Sequence, residues 1–329
     1  NELIPILIKA PADKATREKW LEQLFDAVLD DGVQYLSPVE ERWGEICVFP
    51  ELTNKWTDRI LPLLKDGWRN QNVSNYVVMT DICLSCLLES GRYIELEHLL
   101  SLRSADFWSY DKYWAEALKH QGLVDRAISF AESRLKDDYD RIDILEFCES
   151  VLLNADRKEE AYLRYGIMIR TGTTYLAQYR SILKKYPERD PRKILMDLIE
   201  SSGDKAAWFS SARQAGFLNI AEECAFSGIV NPKTLIRAAR DAKESDPRFT
   251  SRIAYRAIDN MLQGHGYEMT TSDLTQAFDH LMTAAKNLQI MSQTIKELQM
   301  LLDQKSSNYI KETQEILANL LKNFQESQV

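Results

Sequence analysis

The run Ala117-Leu118-Lys119-His120-Gln121-Gly122-Leu123-Val124-Asp125-Arg126-Ala127-Ile128 and the run Val151-Leu152-Leu153-Asn154-Ala155-Asp156-Arg157-Lys158-Glu159-Glu160-Ala161-Tyr162 decide the fold class. Each reads as an apolar helical stripe that ends, a short polar turn, and a second stripe. In the first, Leu118 closes one stripe, Gln121-Gly122 turns, and Asp125, Ala127, Ile128, Ala131 and Leu135 begin the next. In the second, Leu152 closes a stripe, Asn154 to Lys158 is the turn, and Ala161, Tyr162, Tyr165 and Ile169 follow. Ala127 and Ala161 hold the same place and stand 34 residues apart. Two short helices per period of roughly this length are a stacked-hairpin signature. The expected fold is therefore all-α: an irregular α-solenoid of antiparallel helix hairpins.

Working outward, the pattern extends in both directions. A helix is predicted from Val73 to Leu88, with a turn at Glu89-Ser90-Gly91-Arg92 and a second helix to about Leu102. Gly91 and Gly122 sit at equivalent turns, where a residue free to take positive φ ends a helix cheaply. Ala206 to Gln214, Gly216 and Asn219 to Phe226 read as another hairpin with Ala221 at the alanine position. Ala221 lies 60 residues after Ala161, so the register is broken once. Asp190-Pro191, Asn231-Pro232 and Asp246-Pro247 are cap-then-Pro helix starts. Upstream, residues 1–10 read as an extended arm because of Pro5, and helices are predicted at 13–29, from Ser37 as N-cap to about Cys47, and at 51–65. The last of these turns Trp56, Ile60, Leu63 and Leu64 inward. Downstream, 272–324 reads as one or two long helices that cap the array as a pair. The division expected is an N-terminal helical cap (1–70), a repeat array (71–230) and a C-terminal capping segment (231–329).

These elements resemble tetratricopeptide repeats in spacing more than in motif. Gln121-Gly122, Asp125, Ala127 and Glu160-Ala161 fit the second half of such repeats. Arg134 and Met168 stand where that family has a small residue. The chain also resembles a group of bacterial helical-repeat proteins of no established activity. The matching stretches include Tyr35-Leu36-Ser37-Pro38, Arg42-Trp43-Gly44-Glu45, Trp208-Phe209-Ser210-Ser211-Ala212, Thr234 to Asp241 and Gly264-His265-Gly266-Tyr267-Glu268-Met269-Thr270. The resemblance implies a helical fold over nearly the whole length and supplies no catalytic residue.

Composition bounds the function. The chain has 329 residues, 45% hydrophobic, enough to bury a sizeable core, with only 12 Gly and 9 Pro to interrupt helices. A net charge of −9 argues against nucleic acid as the main partner, since a polyanion is held by clustered Lys and Arg. No apolar run is long enough for a membrane span. Asn1-Glu2-Leu3 lacks the basic start of a signal peptide, and it also lacks Met, which leaves open a native start further upstream. Five irregularly spaced cysteines are no disulfide framework, so the expected location is the cytoplasm.

Four features carry candidate chemistry. Cys83-Leu84-Ser85-Cys86 is a CxxC, but it lies inside an apolar helix with no second ligand pair, so it reads as core and no metal or other cofactor is expected. Gly264-His265-Gly266 reads as a turn; His265 is the residue to test for catalysis, though no acid–base partner is visible beside it. Leu288, Met291, Ile295, Leu298 and Leu302 form a short heptad seam, packing either inside the chain or as a homodimer contact. Arg237, Arg240, Arg248, Arg252 and Arg256, with Lys243 nearby, form a basic stripe suited to a carboxylate or phosphate on a protein or peptide partner. The competing reading is a solvated face paired with Asp241, Glu244 and Asp246. The expected function is a non-enzymatic scaffold that binds a protein or peptide. The alternative is an enzyme or small-ligand sensor with a pocket near His265.

Overall fold

The computed structural model describes residues 3–69, 79–136, 139–170, 172–303 and 309–327, and every regular element among them is helical. The helices gather in two compact units, Asn1–Ile169 and Arg170–Val329. The expected boundary at residue 70 lies outside the described residues, as do the first six residues of the helix predicted from Val73 and the polar run 305–308 expected to end the seam.

The first unit holds α1 (Leu3–Lys9), α2 (Lys14–Asp30), α3 (Ser37–Glu41), α4 (Trp43–Cys47), α5 (Pro50–Arg69), α6 (Thr80–Glu89), α7 (Tyr93–Leu100), α8 (Trp108–His120), α9 (Val124–Glu132), α10 (Arg141–Asn154) and α11 (Lys158–Ala161). Residues 3–9 form a helix where an extended arm over 1–10 is expected. Pro5 falls in the first turn of α1, where no intrahelical N–H bond is lost. Arg17, itself buried, closes the other end by donating to Leu7 O at 2.7 Å and Ala10 O at 2.8 Å. Ser37 is not the N-cap either; it is the first helical residue, and its hydroxyl donates to Gln34 O. The helix expected through Cys47 breaks at Arg42 into α3 and α4. Leu63 points to solvent, whereas Trp56, Ile60 and Leu64 are buried as expected.

Trp43, Trp56 and Phe25 meet at the centre of this unit's larger core, with Trp43–Trp56 ring centroids 5.1 Å apart. Burying each such side chain contributes roughly 1.5–3 kcal/mol. Gly44 lets α4 cross close over α6. Its N–H donates to Ser85 Oγ at 3.0 Å, and a Cβ at this position would lie 2.5 Å from Ser85 O and 2.7 Å from Glu89 Cβ. A second core is built from α8, α9, α10 and the segment after α11 around Trp108, Ile128, Leu145 and Tyr165.

Three hairpins of this unit turn the same way. Gly91, Gly122 and Asp156 take positive φ of 69°, 73° and 56°. The next residue then donates its N–H five residues back: Arg92 to Leu87 O, Leu123 to Leu118 O and Arg157 to Leu152 O, at 2.9–3.0 Å. This is the six-residue closure of a helix end. The residue five beyond each turn, Leu96, Ala127 or Ala161, is fully buried. Polar links between successive hairpins recur at one period: Tyr113 to Asp81 and Arg157 to Asp125 span 32 residues each, and Arg92 to Asp58 spans 34. Arg134 also finds its reason here. Its Nε donates to Asp111 at 2.6 Å, and Arg103 donates to the same buried carboxylate. This long charged side chain thereby reaches back to the preceding helix, α8. After α11 the chain widens into a π-turn over Tyr162–Gly166, from which Tyr165 donates to Glu132 at 2.7 Å.

The second unit holds α12 (Tyr175–Lys185), α13 (Pro191–Ser201), a short 3-10 turn (Ala206–Trp208), α14 (Phe209–Gln214), α15 (Leu218–Ser227), α16 (Pro232–Ala242), α17 (Pro247–Leu262), α18 (Thr271–Asn287), α19 (Met291–Asp303) and α20 (Lys311–Glu326). The three cap-then-Pro starts form as expected: Asp190, Asn231 and Asp246 accept from Arg192 N, Lys233 N and Phe249 N. Gly216, at φ +86°, repeats the hairpin turn, with Phe217 N on Ala212 O and Ala221 buried. Among the described residues the C-terminal part holds three helices, not the one or two expected, and so not a capping pair. Gln289 at φ +59° and the bond from Ile290 N to Ala285 O end α18 and redirect the chain into α19. The heptad seam is thereby split. Leu288 caps α18, and the buried face of α19 is Thr294, Leu298 and Leu301, packed on α18 and α20.

Candidate functional site

The first helices of the three hairpins in the first unit share a groove of about 810 Å³. Each contributes one stripe at helical spacing. Helix α6 gives Ser85, Leu88 and Glu89. Helix α8 gives Trp108, Ser109, Lys112, Tyr113, Glu116 and His120. Asp140, which caps α10, and Asp143 and Phe147 within it form the third side, while Glu41, Arg42 and Glu45 complete the rim from α3 and α4. The apolar part is led by Trp108 and Phe147, packed edge-on with centroids 5.5 Å apart.

The groove is acidic. Six carboxylates line it, against the two fixed cations Arg42 and Lys112. Both cations are already engaged, Arg42 with Glu45 at 2.6 Å and Lys112 with Glu41 at 3.1 Å; Glu116 holds Lys119 at 2.8 Å. Glu89, Asp140 and Asp143 have no ion pair among the described residues. Behind the wall, Asp81 accepts from the Tyr113 hydroxyl at 2.9 Å, and burial raises the Asp81 carboxyl above its usual range. Burial, then the charges of Asp81, Asp31 and Glu41, push Glu40 up to about 7.

The five arginines of the second unit have separate duties. Arg256 donates to Ala225 O at 3.1 Å and Gly228 O at 3.0 Å, satisfying carbonyls at the end of α15, and pairs with Asp259 at 2.6 Å. Arg252 pairs with Glu222 at 2.8 Å and lies over the Phe226 ring. Arg240 and Arg213 share Asp241. Arg237 bonds its own helix at Lys233 O and Thr234 Oγ1, and Arg248 is exposed. Arg256 is thus a packing residue, while Arg237, Arg240, Arg248 and Arg252 remain on the surface.

His265 lines a second cavity of about 240 Å³, between the turn after α17, the start of α18 and α20. Its other walls include Met261, Met269, Leu274, Ile310 and Glu312. Gly264 and Gly266 take φ of +81° and +110° there; a Cβ on Gly266 would meet the Met269 side chain at 2.8 Å. This volume is below the roughly 300–1,000 Å³ usual for small-molecule sites. Cys83 and Cys86 are fully buried in α6; burial pushes the Cys83 thiol up to about 12 and the Cys86 thiol well above its usual range, so neither offers a ready thiolate. Among the described residues no three His, Cys, Asp or Glu side chains gather as a metal site, and no helix is long and apolar enough to cross a membrane.

No family model matches the chain, and no characterised protein matches it significantly. The groove of the first unit is the candidate site. Sequence reasoning missed it because the basic stripe is conspicuous in an acidic chain. The signal was present as acidic residues at helical spacing: Glu41 and Glu45 four apart across α3 and α4, Glu116 on α8, and Asp140 and Asp143 three apart at the start of α10.

Proposed function

We propose that the protein is a non-enzymatic scaffold that binds a peptide or protein segment along stacked, tetratricopeptide-like hairpins. The observation that carries this reading is the groove itself: three consecutive hairpins present their first helices to one concavity. Stacked hairpins use such inner faces for recognition. The four matching turns and the one-period polar links support a repeat architecture. The exposed arginines Arg237, Arg240, Arg248 and Arg252 are a secondary candidate surface for an acidic group.

Selection of a random peptide library on the immobilised chain, followed by hydrogen exchange with a retained peptide, tests the reading. The expected result is slowed exchange in α6, α8 and α10. Protection confined to α16 and α17 would transfer the site to the arginines. Protection confined to 261–274 and 310–316 would favour the small-ligand alternative at His265.

A further inference from the structure

The charge balance points to one chemistry of partner: we infer that the groove takes an extended segment bearing Lys or Arg side chains. The inference rests on the peptide-binding reading above and adds what the peptide must carry. Three of the carboxylates lining the groove, Glu89, Asp140 and Asp143, have no ion pair among the described residues, and the lining cations Arg42 and Lys112 are already held by Glu45 and Glu41. An incoming anion therefore meets net negative charge and, among the described lining residues, no unpaired Lys or Arg, whereas an incoming cation meets open acceptors.

The placement of Glu89 sharpens the point. It is the last residue of α6, the end where the helix dipole disfavours a negative charge. Asp143 suits its position in the first turn of α10, but Glu89 has no such local reason, and Asp140 makes no side-chain cap bond to its helix. Glu89 and Asp140 stand on different hairpins, on α6 and at the start of α10, with Trp108 of α8 between them in chain order. A segment with spaced basic side chains satisfies both and lays its methylene stems on the half-buried Phe147 ring, as guanidinium and ammonium groups do on aromatic faces.

The same peptide library separates the outcomes. Sequenced binders of the full chain should be enriched in Lys and Arg, and the best of them should weaken as salt rises. The triple variant Glu89→Gln/Asp140→Asn/Asp143→Asn should bind that peptide about tenfold more weakly, the sum of three exposed charge contacts. Its thermal midpoint should be unchanged within a few degrees, since none of the three is ion-paired. Binders without basic enrichment, or binders that the triple variant holds equally well, overturn the inference and leave the peptide-binding reading standing. No enrichment above bare resin overturns both.

Discussion

Asp111 offers the sharpest test of the packing in the first unit. Its carboxylate is 2% exposed and accepts from Arg103, whose side chain is 4% exposed, and from Arg134 Nε at 2.6 Å. Arg103 also faces the rings of Trp68 and Tyr110 at 5.8 and 5.7 Å. Replacing Asp111 by Leu strands the Arg103 cation in a dry site, and breaking a buried pair in this way costs about 3–5 kcal/mol. That is a large part of a stability of roughly 5–15 kcal/mol. Six of the seven tryptophans, Trp20, Trp43, Trp56, Trp68, Trp108 and Trp114, lie in this unit, so tryptophan fluorescence reports on it. In urea titration the midpoint should fall steeply at an unchanged slope. Adding Arg103→Met and Arg134→Met should restore most of the loss, because an apolar trio needs no charge partner. A single-variant cost under about 1 kcal/mol, the range of exposed pairs, would refute the claim that these charges are desolvated.

Two further outcomes follow from particular contacts. Gly44→Ala should cost about 1–3 kcal/mol in the same titration, because the added methyl meets the Ser85 carbonyl and the Glu89 Cβ rather than a flexible tip; a neutral result would mean that α4 and α6 do not cross at this distance. Glu40, raised from 4.5 to about 7, binds its proton more tightly folded than unfolded, so stability should fall as pH rises between those values. Glu40→Gln should flatten that fall by roughly 1 kcal/mol, the full shift being discounted for a half-exposed group; an unchanged pH profile would remove Glu40 from the acidic cluster.

What the sequence disclosed was whatever depends on neighbours in the chain. The caps at Asp190, Asn231 and Asp246 and the turns at Gly91, Gly122 and Gly216 need only a few consecutive residues, and each formed where expected. Helix α1 escaped notice because its ending depends on Arg17, which belongs to the next helix. The break at Gln289 carries neither Gly nor Pro, so the seam read as continuous. The arginine stripe looked uniform because spacing reveals a shared face but not a partner. Only the packed structure places the end of α15 under Arg256 while leaving Arg248 in solvent. The groove needed three hairpins set side by side before its carboxylates met.

The repeated turn carries a kinetic consequence. Helices α6 through α10 each pack on the helix that comes next in the chain, and each hairpin is shut by its own backbone bond. Little loop entropy is paid before contacts form, so this stretch should fold quickly and from more than one starting point. An end hairpin could also detach while its neighbours hold, giving the open mouth of the acidic channel a looseness that its buried floor does not share.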